Sequence, residues 1–494
     1  MSTIVRAINE TREFLRANVL FLYLILASLV VGFLLVNNFV PDYVVLLGLV
    51  AVPLVIAIQF AIIRDLSVGI VIFLLLEYLQ LGYRIPFVSA IRPALLVSGA
   101  LIAAWVVNLM RHRVPLVLNW QVKSYALLLG LGLMSALNAI SVGMVGITLI
   151  TFFKTLIVFT IMFSAVRTFE QLQRLTWLYI GLHVILAIGG FFLFVTGGER
   201  RFGDLGGSFL GDENDSAMAI LIMIPYMFFM LQTKPRVRAR LILMTGMILA
   251  SLTVLFSFSR GAFIGFMTMV LYMWAKGTNK LKSGLIILGV VGLFFAIMPP
   301  EYWERIESVK GYATEGSAQG RLDAWKGGIQ MMVDSPLLGC GIGNFSRAYG
   351  ERYNTINARW TAAHSLYIEF IGQLGVPGLL FILGYILLTL RTFHFTRKIT
   401  RQVEGKEART LEKIMLGAEC GFVTYLVTTV FLSSMNYPHL WHFGAMSGLG
   451  LIVAKSLAPP GAMTGPSGLA ARGLTARGPR LAASPLSPSP PSRP

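Results

Sequence analysis

The chain has 494 residues, 56% apolar and only 13% charged, with 41 Lys and Arg against 23 Asp and Glu and a formal net charge of +18. A soluble domain carries about 25% charged residues, so this chain could not cover its own surface in water and reads as an integral membrane protein. Its basic excess would suggest nucleic acid in a soluble protein, but no zinc-finger spacing or base-reading basic helix occurs, and cytoplasmic loops of membrane proteins collect Lys and Arg anyway.

A bilayer-crossing helix takes roughly 20 apolar residues. Residues 1–18 hold three Arg and read as a cytoplasmic N-terminal segment. Residues 19–36 follow as a retained first helix, because many spans come after and no clear cleavage site appears. Further spans are expected at 43–63, 66–82, 93–110, 124–142, 148–166, 175–196, 216–232, 241–257, 262–275, 283–299, 365–390, 414–432 and 438–454. The fold class is therefore all-α, a polytopic transmembrane helix bundle of 12 to 14 spans. Residues 19–299 and 365–457 form the bundle, 300–364 one large periplasmic loop, and 458–494 a disordered cytoplasmic tail of Pro, Ser, Gly and Ala with a few Arg.

The distribution of cations orients this bundle. With the N-terminus inside, residues 111–123, 234–240, 276–282 and 391–413 face the cytoplasm and carry three, four, three and seven Lys or Arg. The outer segments hold 12 cations, grouped at Arg84 and Arg92, at Arg200 and Arg201, at Arg260, and in seven positions from Arg305 to Arg359. Outward cations run against the sorting rule. Each is either an ion-pair partner of Glu301, Glu304, Glu307, Asp323 or Asp334, or part of a site for an anionic ligand at the outer face.

In the large loop, Leu322, Trp325, Ile329 and Met332 recur at helical spacing, and Ser335-Pro336 should stop that helix. Gly339-Cys-Gly-Ile-Gly-Asn-Phe has no βαβ context and no Gly-Lys-Ser/Thr, so it reads as a sharp turn and not a nucleotide loop. Backbone N–H groups there leave phosphate binding as a minor option. Ser257-Phe-Ser-Arg-Gly joins two spans at the outer surface. It either lets Arg260 snorkel to headgroups or fixes a cation at the boundary, with Gly261 turning the backbone.

His364 opens the twelfth span beside the cationic loop, where a neutral imidazole can act as a base. Glu369 and Gln373, four residues apart within that span, order the helix or touch a sugar hydroxyl. Lys154 within the sixth span either snorkels or supplies charge to the same pocket. His439 and His442 flank Trp441 as interfacial anchors. Cys340 and Cys420 form no disulfide framework, and no CxxC or HExxH indicates a metal site.

Ser-Arg260-Gly after a span, then Gly320-Arg321, Trp325, Ser335-Pro336 and the glycine run to Phe345, then His364-Ser-Leu-Tyr-Ile-Glu-Phe-Ile-Gly-Gln-Leu-Gly375-Val-Pro-Gly378, resemble the O-antigen ligase and O-antigen polymerase superfamily. The resemblance spans residues 252–386. It implies an inner-membrane glycosyltransferase that uses no metal or other cofactor. Such an enzyme moves a glycan from undecaprenyl pyrophosphate to a hydroxyl of a lipid A core, a glycan or a protein on the periplasmic side, in lipopolysaccharide or exopolysaccharide biosynthesis. It also implies His364 as catalytic base and Arg260 and Arg321 as pyrophosphate ligands, with Arg200 or Arg201 joining them by position; Lys154 and Glu369 are candidate supporting residues from their own placement in the spans. Where the family often has Asn after the His and Glu before the later Leu-Gly, this chain has Ser365 and Gln373. A transporter of lipid-linked glycans is the alternative from a different class. It would place charged sites at the bilayer midplane and show repeated halves.

Overall fold

The computed structural model describes residues 57–80, 93–196, 205, 209–277, 280–281, 284–285, 289, 292, 316–354 and 360–459. The expected N-terminal segment, the first span, the Arg200–Arg201 pair, most of the eleventh span and the tail lie outside these. Among the described residues the chain is helical and has no strand. The longer helices are α1 (Leu66–Leu79), α2 (Pro93–Met110), α3 (Trp120–Ser135), α4 (Val142–Ala165), α5 (Phe169–Thr196), α6 (Glu213–Leu221), α7 (Ile224–Leu231), α8 (Val237–Phe256), α9 (Arg260–Lys276), α10 (Gly316–Asp334), α11 (Leu366–Thr400), α12 (Lys406–Thr428) and α13 (Pro438–Leu457).

Among the described residues, five stretches are long and apolar enough to cross a membrane: α4, α5, Glu213–Leu231, α8 and α11. Leu66–Leu79 and Leu96–Met110 are apolar but shorter. The outer faces of these helices expose large apolar side chains such as Ile147, Ile150, Phe153, Phe192, Ile248 and Leu387. A soluble surface rarely carries so much contiguous apolar area, whereas lipid tails accept it. The protein is a multi-pass membrane bundle.

At its centre stands α13, buried over most of its length. Small residues let its neighbours come close. A Cβ at Gly444 would sit 1.8 Å from the Tyr385 hydroxyl, one at Gly448 2.5 Å from Gln121 Nε2, and one at Gly450 2.1 Å from Met415 Sδ. His439, Trp441 and His442 are therefore interior residues and not the interfacial anchors that their flanking pattern suggested. Trp441 donates to the Met435 carbonyl at 3.3 Å, and His442 Nδ1 pairs with the Tyr78 hydroxyl at 2.8 Å.

The two ends of the bundle differ in chemistry. At one end Arg397 reaches Glu419 at 2.5 Å, Lys276 the same carboxylate at 3.0 Å, and Arg401 reaches Glu412 at 2.6 Å. This pairing explains why the basic stretch 391–413, expected as a loop, is mostly helix. The Arg397 charge is neutralised inside the packing between α11 and α12, so α11 continues to Thr400.

The other end gathers the connecting segments. α10 stops at Asp334, as Ser335-Pro336 predicts, and packs along the start of α11. The face that it buries is not the expected apolar one. Ala324, Gly327, Gly328 and Met331 point inward, while Ile329 is 47% exposed. A Cβ at Gly328 would lie 2.4 Å from Ile368, so two glycines choose the rotation of the helix by letting α11 approach.

Helix α11 itself kinks at Gly375, whose φ is 63°, just before Pro377. The kink frees carbonyls, and the glycine loop takes them. Cys340 N–H donates to Gly372 O at 2.9 Å and Gly341 N–H to Gln373 O at 3.1 Å, while Val376 N–H donates back to Pro336 O at 2.8 Å.

Candidate active site

The glycine loop is a brace. Gly339, Gly341 and Gly343 all have positive φ, and a Cβ at Gly343 would sit 2.2 Å from Thr148 Oγ1. Every N–H from Gly339 to Asn344 is already spent. Gly339 donates to Ser335 O, Cys340 and Gly341 to the kink, Ile342 to Ser135 Oγ at 3.0 Å, Gly343 to Gln373 Oε1 in a short bond, and Asn344 to Gly341 O. No donor remains there for a phosphate. Gln373 thus holds the loop and does not face a substrate. Asn138 and Asn344 extend the brace to the α3–α4 turn, with bonds of 2.6 Å to Gly339 O and 2.9 Å from Ser141 N–H.

The Ser257-Phe-Ser-Arg-Gly turn is built by capping. Ser257 Oγ accepts from Ser259 N–H at 3.2 Å, and Ser259 Oγ caps α9 by accepting from Ala262 N–H at 3.1 Å. The reversal itself occurs at Phe258, with φ 52°, and not at Gly261. Arg260 becomes the first residue of α9 and is part-exposed. A cation at a helix N-terminus opposes the helix dipole, but together with that dipole it forms a pole for an anion.

Three sequence candidates gather around residues 429–437, the connection between α12 and α13. The His364 amide donates to Ser433 Oγ at 2.8 Å, and Leu366 N–H to Thr429 O at 2.9 Å. Gly261, next to Arg260, packs against Phe431. On its other side Phe431 meets the Trp325 ring at 6.4 Å, and Trp325 Nε1 donates to Ala363 O at 3.1 Å. Arg321 lies one helical turn before Trp325, and its charge acts on His364. His364 sits in left-handed backbone, φ 47°, a conformation that non-glycine residues adopt at some cost and that clusters at functional sites.

The imidazole of His364 is half-buried, and burial lowers its pKa from the ordinary value. The Arg321 cation lowers it further, and Asp212 opposes both. The group is therefore neutral at neutral pH, as a base must be.

Asp212 and Asp215 were not singled out in the sequence. Asp212 caps α6, accepting from Asn214 and Asp215 N–H at 2.7 and 2.9 Å. Asp215 accepts from the Tyr437 hydroxyl at 2.7 Å, and Glu369 Oε2 accepts from Met435 N–H at 3.1 Å. These carboxylates hold the 429–437 connection from two sides. The acidic cluster Asp-Glu-Asn-Asp at the start of a span was the available signal, since charge inside a span is costly and often functional.

Lys154 falls elsewhere. Lys154 is exposed on α4, about 18 Å along the helix from Val142, and its neighbours Thr151 and Thr155 line a separate cavity. Arg200 and Arg201 lie outside the described residues. Among the described loop cations, Lys326 pairs with Asp323 at 3.2 Å and Arg347 with Glu351 at 2.7 Å.

No curated protein matches the chain. The family model described as O-antigen ligase matches residues 245–383, a stretch from α8 through the Arg260 turn, α10 and the glycine loop to the kinked half of α11. Arg260, Arg321, His364 and Glu369 all fall inside it. Over residues 245–383, with the shared motifs and the helical membrane bundle around them, the chain is similar to the O-antigen ligase family.

Proposed function

We propose that the protein transfers a glycan from undecaprenyl pyrophosphate to an acceptor hydroxyl at the periplasmic face of the inner membrane, as a ligase acting on a lipid A core. The observation that carries this reading is the convergence of Arg260, Arg321 and a neutral His364 on one connecting loop. The His364 imidazole takes the proton of the acceptor hydroxyl as its oxygen attacks the anomeric carbon. The bond from that carbon to the pyrophosphate oxygen breaks, and the lipid pyrophosphate leaves with the electron pair. A single displacement of this kind inverts the anomeric centre.

Each charge near the loop has a part in that step. Arg321 keeps the resting imidazole neutral, and Asp212 stabilises the imidazolium that forms. Negative charge grows on the leaving pyrophosphate, and preorganised cations there lower the barrier. The planar fork of Arg suits phosphate oxygens because it binds them bidentately and keeps its charge. The donor is already activated, so neither a nucleotide nor a metal is required.

The glycolipids of a deletion strain test the reading. Accumulated unligated long chains are the expected result. A lipid A core bearing a single repeat would make the protein a polymerase instead, and an unchanged lipopolysaccharide with missing protein glycans would make it a protein O-glycosylating enzyme.

A further inference from the structure

The loop that holds His364 through Ser433 also walls, through Asn436 and with Pro438 at the start of α13, a cavity of about 320 Å³. None of His364, Arg260 and Arg321 lines it. Its other walls come from the end of α1, from α4, and from aromatic rings that include Tyr125 and Trp441. Its volume falls at the lower end of the ~300–1,000 Å³ typical of small-molecule sites, the right scale for one ring and not for a long chain.

The lining specifies a chemistry. Tyr125 is 1% exposed, and its hydroxyl has no hydrogen-bond partner in the structure. Thr155 stands beside it, but its Oγ lies outside hydrogen-bonding geometry with the phenol and donates instead to Thr151 O at 3.1 Å. A buried hydroxyl without a partner is costly; one that borders a cavity is satisfied when a ligand supplies the partner. Thr151 likewise donates to Ile147 O at 3.1 Å, so both threonines retain lone pairs as acceptors.

Glu77 adds a carboxylate, with Oε2 3.3 Å from His442 Nε2. The other nitrogen of His442 pairs with the Tyr78 hydroxyl. The two imidazole nitrogens thus face Glu77 on one side and Tyr78 on the other, and do not form a seat for an anion. A phosphate would meet the Glu77 charge, and a prenyl or acyl chain would strip water from Glu77, Asn436 and the threonines without replacing their hydrogen bonds. A neutral, polyhydroxylated ring meets both conditions. Its hydroxyls donate to Glu77 and the threonines and bond Tyr125, while its apolar face packs on the rings.

We propose that this cavity is a sugar subsite, which holds one neutral pyranose unit of a glycan substrate while His364 and the arginines engage the reacting end. The inference rests on the transferase reading. The ring belongs either to the donor glycan or to the acceptor.

Three probes separate these possibilities on the full-length protein in detergent, with binding read by saturation-transfer NMR. They are the host's donor glycan freed from its lipid by mild acid, the core oligosaccharide freed from lipid A, and undecaprenyl pyrophosphate without sugar. Tyr125→Phe and Asn436→Ala should weaken one of the two sugars roughly three- to tenfold, about the worth of one hydrogen bond. The same variants should leave undecaprenyl pyrophosphate binding unchanged, and Arg260→Ala should do the reverse. Tyr125→Phe is the sharpest variant, because removing an unpartnered buried hydroxyl leaves the fold at least as stable.

The sugar that weakens identifies its source. If both sugars bind the variants as they bind the wild type, the subsite is overturned while the transferase reading stands. The same holds if only undecaprenyl pyrophosphate binds the wild type. If none of the three binds the wild type, the transferase reading fails and the subsite with it.

Discussion

The His364 amide donates a 2.8 Å hydrogen bond to the hydroxyl of Ser433, 69 residues later in the chain. This bond ties the left-handed backbone of the candidate base to the loop that also meets Trp325 and the Arg260 turn. Ser433→Ala leaves the amide without its acceptor and loosens the imidazole. A buried donor left unpaired costs about 1–3 kcal/mol. Turnover should fall about tenfold while the protein still inserts and folds, checked by rate measurements beside a thermal melt.

The pH profile of turnover reports the electrostatics of His364. Burial and Arg321 both hold its pKa below the ordinary imidazole value. The base is active when neutral, so activity is lost as pH falls through that lowered pKa, and the acid limb should lie below about 6.5. Arg321→Gln removes a cation that disfavours imidazolium, so the limb moves to higher pH. Asp212→Asn removes an anion that favours it, so the limb moves lower, and Asn still caps α6. A limb that stays in place in both variants would show that these charges do not act on the base.

Arg260 and Arg321 should differ from lysine in function. Alanine at either position removes charge from the developing pyrophosphate, for which a loss of roughly 10²–10³-fold in turnover is typical. Lysine restores the charge but not the bidentate fork, so partial recovery is expected. Donor binding and turnover measured for Arg→Lys and Arg→Ala at each position decide the matter; alanine variants equal to wild type would make both arginines structural.

The loop end of the bundle should face the periplasm. Seven Lys or Arg in residues 391–413 favour the cytoplasm for the other end. Both native cysteines are buried, which favours a single-cysteine scan in a Cys340→Ser, Cys420→Ser background. With the outer membrane permeabilised, an impermeant thiol reagent should label Lys326→Cys and spare Glu404→Cys, both at exposed positions. The opposite pattern would put His364 in the cytoplasm, away from a flipped donor.

Much of this architecture is legible in the sequence because hydropathy is what a bilayer selects. The helices found among the described residues, the end of α10 at Ser335-Pro336, and the placement of His364 at the head of α11 follow from composition, helix-stop signals and motif. Hydropathy says less about which way a helix faces. Ile329 and Ala324 are both apolar, and lipid accepts either, so the glycines at 327 and 328 set the rotation. The same limit hid the interior places of His439 and His442, whose ring partners His183 and Tyr78 lie on distant helices. Asp212 and Asp215 resemble an ordinary helix cap until the Tyr437 bond brings 222 residues of chain together.

The most direct measurement is turnover by purified His364→Ala with undecaprenyl-linked donor, acceptor and excess chelator. Wild type should remain active in chelator. The variant should bind the donor as before and lose turnover by about 10²–10⁴-fold, the usual worth of a general base. Near-normal turnover in His364→Ala, or a wild-type activity that only added magnesium restores, would contradict the account.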